Sequence, residues 1–461
     1  MSGQTTKKRG VELLSGSLWR NVPKFAIPVA LTGILEQLFN AADIAVVGRF
    51  TGDMGTVNMA AVGANSPIIG LILNLFIGVA LGANVVIANA VGRKDKATIT
   101  KAVHTSILFA LLSGVAVTFF GEIIAEPLLA AMNVPDEVLA PAVLYLRIYF
   151  AGVPVILLYN FESAIFRSVG QTRTPLIALA ISGALNIALN LFFVIALQMS
   201  VAGVALATVL SNLTSSMFLL ILLTRTDLAV KVSGKNLRIT GSVLFRILRI
   251  GLPAGIQSGI FAIANMLIQS AINGLGTTAI AASSAAQNIE IFCYDMMNSF
   301  SQACTTFVGQ NSGARNYERC RKILKVCILE DFIASASSIA LVLLFGHQLL
   351  SLFNTDPEVI RLGYMRLCII FAAYTFSMLY EVMSGYLRGF GISLSPAVLT
   401  TISICVTRVL WIMLVFPHYR TFFSILLVYP VSLGITALLI LFTLLYYRPA
   451  GHAMEKKETG R

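Results

Sequence analysis

The sequence has too few charged residues to cover a water-facing surface. Charged residues make up only 12% of the chain, whereas hydrophobic residues make up 57%. An ordinary soluble domain carries roughly 25% charged residues. The composition therefore excludes a soluble globular protein and predicts a surface that faces lipid.

The sequence also lacks the residue patterns of disulfide, metal and catalytic sites. None of the six cysteines belongs to a CxxC pair, and the four histidines are far apart: Cys293, Cys304, Cys320, Cys327, Cys368 and Cys405; His104, His347, His418 and His452. The cysteines are interpreted as small apolar packing residues. No nucleophile with a paired base is visible, so we expect neither an enzyme nor a resident metal or cofactor.

What the chain does contain is a series of apolar runs of bilayer length. A helix needs about 20 mainly apolar residues to cross the hydrocarbon core, where its backbone groups must bond to one another. The runs predict twelve transmembrane helices, at 23–47, 59–85, 102–125, 139–166, 173–197, 201–224, 248–273, 279–309, 323–346, 359–387, 394–417 and 421–446. The fold class is therefore an all-α integral membrane protein.

Basic residues are concentrated before, between and after alternate pairs of these helices. The clusters are Lys7, Lys8, Arg9; Arg93, Lys94, Lys96; Arg225, Lys231, Lys235, Arg238; Arg315, Arg319, Arg321, Lys322; and Lys456, Lys457, Arg461. The positive-inside rule then predicts that both termini are cytoplasmic, which requires an even number of helices. The basic N-terminus leads straight into a full-length span, so no cleavable signal peptide is expected. This topology accounts for the net charge of +12, so no nucleic-acid partner is expected.

Similar segments recur along the chain at a constant separation in residue number. This repeat interval is the one that separates Gly92 from Gly313. The same interval separates three further pairs of identical residues in similar segments: Asn133 and Asn354, Arg167 and Arg388, Pro175 and Pro396. Each repeat holds six predicted helices, so the halves have the same orientation, as in transporters with parallel repeats. We predict two pseudo-symmetric lobes, 1–229 and 230–461, around a central cleft. Rocking of one lobe against the other would expose this cleft to each side in turn.

Polar residues within the apolar runs are candidate functional groups. Glu36, Asn40 and Asp43 follow one another at i, i+4 and i+7, which places them on one face of the first helix. Such a stripe must face protein or a water-filled cavity. The alternative is that Asp43 simply lies at the outer membrane interface.

The fifth and sixth helices of the first lobe add further polar residues. Asn186 and Asn190 share a helix face, and Thr208, Ser211 and Asn212 follow in the sixth helix. Each one alone is more typical of interhelical hydrogen bonding, but together they favour a polar cavity. Glu162, near the cytoplasmic end of the fourth helix, is expected either to pair with Arg167 or to take part in transport.

The second lobe differs from the first because its first helix carries no acid. Its own charged residues within the spans are Glu290, Asp295, Glu330, Asp331, Glu381 and Arg408. We therefore place ion coupling in the first lobe. Arg408 is expected either to pair with an acid of this lobe or to bind an anionic group.

A carboxylate in a cavity can couple transport to an ion gradient. A proton and a cationic substrate would compete for the carboxylate of Asp43, and such competition is the minimal requirement for antiport. Sodium could replace the proton if the oxygens of Asp43, Asn186, Asn190 and Thr208 converge on it.

The sequence resembles the multidrug and toxic compound extrusion (MATE) family over nearly its whole length. The resemblance rests on these segments: IPVALTGILEQLFNAADIAVVGRF at 27–50, FRSVGQTRTP at 166–175, LNIALNLFFV at 185–194, VAGVALATVLSN at 201–212 and VGQNSGARNYERCRK at 308–322. It implies that the essential aspartate of the first helix is Asp43, with Asn186 and Thr208 at the family's other first-lobe positions.

Three departures from the family bear on the coupling ion. Many members carry an aspartate where this chain has Asn190, and related sequences often have glutamine where it has Glu36. The acid that one subfamily uses for sodium in its seventh helix is absent here. The resemblance thus implies coupling through the first lobe and favours the proton over sodium.

Together these features predict a secondary active antiporter that exports organic cations and amphiphilic drugs. The coupling residues would be Asp43, Glu36, Asn186, Asn190 and Thr208, and Asn40 would also line the substrate cavity. The alternative is a flippase for lipids or lipid-linked oligosaccharides, whose cavity should be cationic to hold a phosphate. We further expect a monomer in a bacterial-type plasma membrane, with membrane lipid and a small-molecule substrate as its partners.

Overall fold

The computed structural model describes residues 10–132 and 134–458. These residues form α-helices, short 3₁₀ and π-helical turns and connecting loops, and they contain no β-strand. Lys7, Lys8, Arg9 and Arg461 of the basic clusters lie outside the described residues, as does Asn133 of the repeat.

Twelve helices in the described ranges are long, and they are labelled α1 to α12. In chain order they are α1 Leu18–Phe50, α2 Gly55–Gly92, α3 Lys96–Ala131, α4 Asp136–Ser168, α5 Arg173–Leu191, α6 Ser200–Arg225, α7 Gly241–Asn273, α8 Thr277–Gly313, α9 Tyr317–Leu344, α10 Pro357–Gly389, α11 Leu394–Leu410 and α12 Val428–Tyr447. Shorter helices span Gly346–Ser351, Phe422–Leu426 and Pro449–Glu458. A π-helical turn follows α5 at Phe192–Ala196 and α11 at Trp411–Val415.

The chain divides into two compact units. Among the described residues, unit 1 comprises 10–11 and 31–248, and unit 2 comprises Glu12–Ala30 and 249–458. Within unit 1, α4 packs against α2, α3 and α6. Within unit 2, α10 packs against α8, α9 and α12 in the same way. The lobe boundary between residues 229 and 230 stays a prediction.

Eleven of the helices in the described ranges are long and apolar enough to cross a membrane. The predicted all-α membrane fold is therefore confirmed. The exception among the twelve is α8, which is long enough but carries Glu290 and Asp295 among many small polar residues. Because 22 of its 37 residues are buried, most of α8 contacts protein, and a buried helix can be less apolar than one that faces lipid.

The ends of equivalent helices in the two units are separated by the same interval as the repeated sequence segments. Helices α4 and α10 begin at Asp136 and Pro357 and end at Ser168 and Gly389, and the repeat interval separates the positions of each pair. Left-handed backbone conformations repeat too, with φ of 59° at Lys94 and 56° at Arg315, and 79° at Gly170 and 83° at Gly391. The duplication thus extends to the conformation of individual loop residues.

The starts of α3 and α9 are capped at equivalent positions. The carboxylate of Asp95 accepts hydrogen bonds from the Thr98 hydroxyl at 2.6 Å and the Thr98 N–H at 3.0 Å. These bonds hold the pKa of Asp95 below its usual value. Asn316, the repeat counterpart of Asp95, accepts from the Arg319 N–H at 3.3 Å. Both caps use short polar side chains that favour helix N-termini, which explains why both helices begin directly after these loops.

A glycine allows α3 and α4 to pack closely. A Cβ atom on Gly114 of α3 would lie 2.4 Å from the Cα atom of Pro154 on α4. Small residues at such contacts let helix backbones approach one another in membranes, where van der Waals packing drives helix association. The contact fixes α4, which carries part of the cavity wall described below.

We expect Gly114→Ala to destabilise the protein by about 1–3 kcal/mol, because the added methyl group meets backbone atoms that cannot rotate away. The measurement is the thermal unfolding of the purified protein in detergent. Gly63→Ala is the matched control, because a Cβ atom there meets no atom within 4 Å. Equal melting temperatures for the two variants would contradict the proposed close contact.

Candidate functional site

Unit 1 contains a cavity of about 440 Å³ lined by α1, α2, α4, α5 and α6. This volume lies in the range of sites that bind small molecules, roughly 300–1,000 Å³. The ionisable side chains among the described lining residues are Glu36, Asp43, Tyr145, Tyr149 and Tyr159, and no lysine, arginine or histidine lines it. The cavity is therefore acidic.

The three polar residues of the predicted stripe on α1 all line this cavity. Glu36, Asn40 and Asp43 contribute to the wall, and Asp43 is only 6% exposed. In unit 1 the carboxylate of Asp43 thus lies in a buried polar setting rather than on the surface. Their spacing along one helix brings these side chains together.

Asp43 is held by the residues that the sequence singled out on α5 and α6. Asn190 donates a hydrogen bond from Nδ2 to Asp43 Oδ1 at 2.5 Å, and Thr208 donates from Oγ1 to Oδ2 at 3.0 Å. Asn190 Nδ2 also lies 3.1 Å from Asn186 Oδ1. The structure thus brings these four predicted coupling residues into one cluster, with Asn190 fully buried behind the cavity wall.

Local features of α5 and α6 position these donors. A Cβ atom on Gly183 of α5 would overlap the ring of Phe39 on α1, so the two helices touch one turn before Asn186. The hydroxyl of Thr208 lies 3.0 Å from the carbonyl oxygen of Val204 as well as from Asp43. Because a hydroxyl carries a single proton, it can donate to only one of these two acceptors at a time.

The cavity also has an aromatic wall, which was not predicted from the sequence. Tyr145, Tyr149 and Tyr159 of α4 are each at most 8% exposed, and all three line the cavity. The rings of Tyr145 and Tyr149 stack with their centroids 6.3 Å apart. Their i, i+4 spacing within a membrane span is a signal that could have identified them, since both side chains lie on the same helix face.

Glu162 does not form an ion pair with Arg167. Its Oε2 atom accepts a hydrogen bond from the Ser216 hydroxyl on α6 at 3.1 Å, and Oε1 is buried without a partner among the described residues. Glu162 is fully buried between α4 and α6 and does not line the cavity. The expected pair fails because the side chain turns toward the α6 interface.

Of the five acids predicted within the spans of unit 2, two form ion pairs. Glu290 of α8 binds Arg366 of α10 through two hydrogen bonds, Nε to Oε1 at 2.8 Å and Nη2 to Oε2 at 3.0 Å. Glu381 lies 3.4 Å from Nη2 of Arg388 on the same helix. Arg388 therefore has a partner inside unit 2.

The other three acids within these spans, Asp295, Glu330 and Asp331, have no basic partner within the described residues. Asp331 accepts a hydrogen bond from the Ser335 hydroxyl at 2.9 Å. Both carboxylate oxygens of Glu330 are buried and unbonded, as is one oxygen of Asp295. None of these three residues belongs to the unit 1 cavity.

The described residues contain no cluster of three or more histidine, cysteine or acidic side chains that could hold a metal ion. All six cysteines are free. The chemistry available in the cavity is therefore that of two carboxylates, several amides and hydroxyls, and three tyrosine rings. Such a set can hold a cation through charge, hydrogen bonds and contact with aromatic faces.

A polytopic helical fold with internal duplication and a polar cavity inside one repeat defines a membrane transporter rather than an enzyme. Residues 28–192 and 253–414 match the MatE family profile. The chain belongs to the MatE family of membrane transporters.

Similar proteins match almost the whole chain. A probable multidrug resistance protein of Bacillus subtilis, YoeA, is 27% identical over 92% of this chain and 93% of its own length. A probable multidrug resistance protein of Thermotoga maritima, NorM, is 26% identical over 84% and 83%. The solved structure of a MOP superfamily transporter from Pyrococcus furiosus superposes with a TM-score of 0.88 at 24% identity, over 97% of this chain and 100% of that one. The last comparison bears on the fold alone.

The short contact between Asn190 and Asp43 allows a test of the cluster. Asn190→Asp would place two carboxylates at a distance now spanned by a 2.5 Å hydrogen bond. Two such carboxylates must either share a proton or bind a cation between them. We expect the melting temperature of this variant to fall as the pH rises in choline buffer, with a loss of about 2 kcal/mol in stability, the order expected for a buried unpaired charge.

The control is Asn236→Asp, the same change at an exposed position of the loop before α7. Its melting temperature should follow that of the wild type at each pH. If Asn190→Asp also follows the wild type over the whole range, the two side chains are not in contact.

Proposed function

We propose that this protein is a secondary active antiporter that exports organic cations and amphiphilic drugs in exchange for protons. The observation that carries the proposal is the acidic cavity of unit 1, with Asp43 held by neutral donors beside a wall of tyrosine rings. A delocalised organic cation gains both from the carboxylates and from the faces of the rings. The names of the bacterial relatives, which refer to multidrug resistance, support this substrate class.

The hydrogen bonds around Asp43 suggest how protonation could be coupled to substrate binding. Each oxygen of the carboxylate accepts one hydrogen bond from a neutral donor, which suits the ionised form. On protonation the carboxyl group needs an acceptor. The hydroxyl of Thr208 can serve, because its own proton can turn to the carbonyl oxygen of Val204 at 3.0 Å.

A cationic substrate would then bind the ionised carboxylate of Asp43, and protonation of this carboxylate would release the substrate. In the proposed cycle, rocking of the two predicted lobes carries the substrate outward with Asp43 ionised and carries the proton inward with Asp43 neutral. Glu36 and Asn40 contribute to substrate binding from the same face of α1.

Sodium is the second candidate for the coupling ion. Oxygen atoms of Asp43, Asn186 and Thr208 lie in the cluster and could contribute to a sodium site. Asn190, however, directs its amide nitrogen toward Asp43, which satisfies the carboxylate without a metal ion. This favours the proton.

The flippase alternative is less well supported at this cavity. A phosphate head group needs basic partners, and none of the described lining residues is basic. We also propose that the protein is a monomer in a bacterial-type plasma membrane, with both termini in the cytoplasm and membrane lipid as a partner.

The test reconstitutes the protein in liposomes and follows a fluorescent organic cation under an imposed pH gradient in sodium-free buffer. We expect the wild type to accumulate the cation and Asp43→Asn to lose this activity, because an amide cannot exchange a proton. Glu318→Gln, which changes an exposed carboxylate at the start of α9, should transport like the wild type.

Each other outcome identifies a different error. Transport by the wild type under a sodium gradient alone would replace the proton by sodium as the coupling ion. Undiminished transport by Asp43→Asn would reject Asp43 as the coupling residue. If neither gradient drives transport of the cation, the substrate class is wrong, and the flipping of a fluorescent lipid becomes the assay.

The role of Thr208 is tested by two substitutions of similar size. Thr208→Val keeps the shape of the side chain but removes the hydroxyl group, whereas Thr208→Ser keeps the hydroxyl. We expect the valine variant to transport about tenfold or more slowly, as for a lost hydrogen bond to a charged group, and the serine variant to keep most of the activity. Equal rates for both variants would mean that Thr208 contributes by shape alone.

A further inference from the structure

Arg408 on α11 is a buried guanidinium group in unit 2 that has no carboxylate partner in the part of the chain that the structure describes. Its side chain is 0% exposed. Its Nη1 atom donates to Asn265 Oδ1 on α7 at 2.6 Å. Its Nε and Nη2 atoms are buried and have no hydrogen-bond partner among the described residues. A buried charge ordinarily requires an opposite charge and a complete set of hydrogen bonds.

Two aromatic rings lie against this group. The guanidinium carbon lies 5.0 Å from the ring centroid of Phe261 and 4.8 Å from that of Tyr429. Cation–π contacts stabilise the charge and hold the plane of the guanidinium in a fixed orientation. They leave the edge formed by Nε and Nη2 without a partner.

Arg366 in the same unit shows what this edge binds when a ligand is available within the protein. Its Nη1 atom donates to a neutral oxygen, Ser283 Oγ at 3.0 Å, as Nη1 of Arg408 donates to Asn265. Its Nε and Nη2 atoms bind both oxygens of Glu290 at 2.8 and 3.0 Å. Arg366 also lies over the ring of Tyr429, at 5.6 Å. The two arginines thus share a neutral acceptor at Nη1 and the ring of Tyr429, but only Arg366 binds a carboxylate through Nε and Nη2 among the described residues.

The internal repeat gives the Arg408 cluster a functional position. Both this cluster and the Asp43 cluster join the first, fifth and sixth helices of their unit, just before a π-helical turn. Such turns occur often at functional sites because their backbone is less regular. Unit 2 therefore has a basic group where unit 1 has its candidate cation site. The repeat interval relates Thr208 to Tyr429, Ile187 (the neighbour of Asn186) to Arg408, and Asp43 to Ala264 (the neighbour of Asn265).

We infer that Arg408, Asn265 and Tyr429 form a second ligand site, which binds an oxyanion through the Nε and Nη2 atoms of Arg408. Its ligand is the carboxylate or phosphate group of a bound amphiphile. Such oxyanions match the two parallel N–H groups of this edge. Because the side chain is buried, the ligand reaches the edge when α7, α11 and α12 move apart at this level.

This site goes beyond the proposed export of cations, since it recognises the opposite charge in the other unit. It would allow the protein to distinguish zwitterionic amphiphiles from simple cations. The oxyanion could belong to a drug or to the head group of a phospholipid, and the experiment separates these two sources.

The test measures binding by the purified wild type in detergent, with two matched pairs of probes. The first pair is ciprofloxacin, which carries a carboxylate and an amine, and its methyl ester, which carries the amine alone. The second pair is a fluorescent phosphatidic acid and the diacylglycerol with the same fluorophore, which differ by the phosphate group. The variants are Arg408→Gln, which removes the charge, and Arg408→Lys, which keeps the charge but removes the planar fork.

We expect Arg408→Gln to weaken binding of one oxyanion probe about tenfold or more, which is the order for a charge-assisted hydrogen bond. Binding of the matched probe that lacks the oxyanion should be unchanged. Arg408→Lys should show a smaller loss, since an ammonium group keeps the charge but not the two parallel bonds. Selective loss with ciprofloxacin identifies a substrate carboxylate, and selective loss with phosphatidic acid identifies a lipid head group. Either result supports the site.

A purely structural role for Arg408 predicts a different pattern. In that case Arg408→Gln would lower the melting temperature and weaken both members of each pair equally, or would change no affinity at all. Either result overturns the proposal. Arg361→Gln, which removes an exposed arginine paired with Glu358, is the control for a general effect of charge. Because binding is measured without a gradient, failure of the proton-coupling proposal would leave this result interpretable.

Discussion

The structure depends on the cost of leaving a polar group without a partner in an apolar environment. This cost makes the backbone helical wherever it crosses the membrane. It also explains why hydroxyl groups inside the helices, such as those of Ser113 and Thr305, bond to carbonyl oxygens one turn earlier. Against this background, a buried carboxylate or guanidinium is retained only where protein, a ligand or an ion can satisfy it. Such groups are therefore the most informative residues in the chain.

Asp43 satisfies this requirement in a way that leaves its carboxylate able to exchange a proton or a substrate cation. Its partners are the neutral donors Asn190 and Thr208, so no permanent positive charge binds its carboxylate among the described residues. Glu290 is the contrasting case, because Arg366 occupies both of its oxygens. A carboxylate locked in a bidentate ion pair cannot readily exchange a proton or a substrate cation. The difference between the two partners separates a candidate coupling residue from a structural one.

Duplication produced two units with nearly the same helix ends and different chemistry. The loop conformations at Lys94 and Arg315 match, because helix lengths and turns are constrained by the membrane and by packing. The polar residues within the helices have diverged, with Asp43 in unit 1 and Arg408 in unit 2. A repeated scaffold thus presents an acidic cluster in one unit and a basic cluster in the other.

The sequence by itself determined the class of protein, the helical spans, the repeat and the polar stripe of α1. These follow from apolar length and from residue spacing along one helix, which need no knowledge of neighbouring helices. Only the tertiary structure decided which helices meet. It placed Tyr149 in the cavity wall, bonded Glu162 to Ser216 rather than Arg167, and brought Arg408 against two aromatic rings. Contacts between residues distant in sequence depend on helix packing, and spacing along one chain does not specify them.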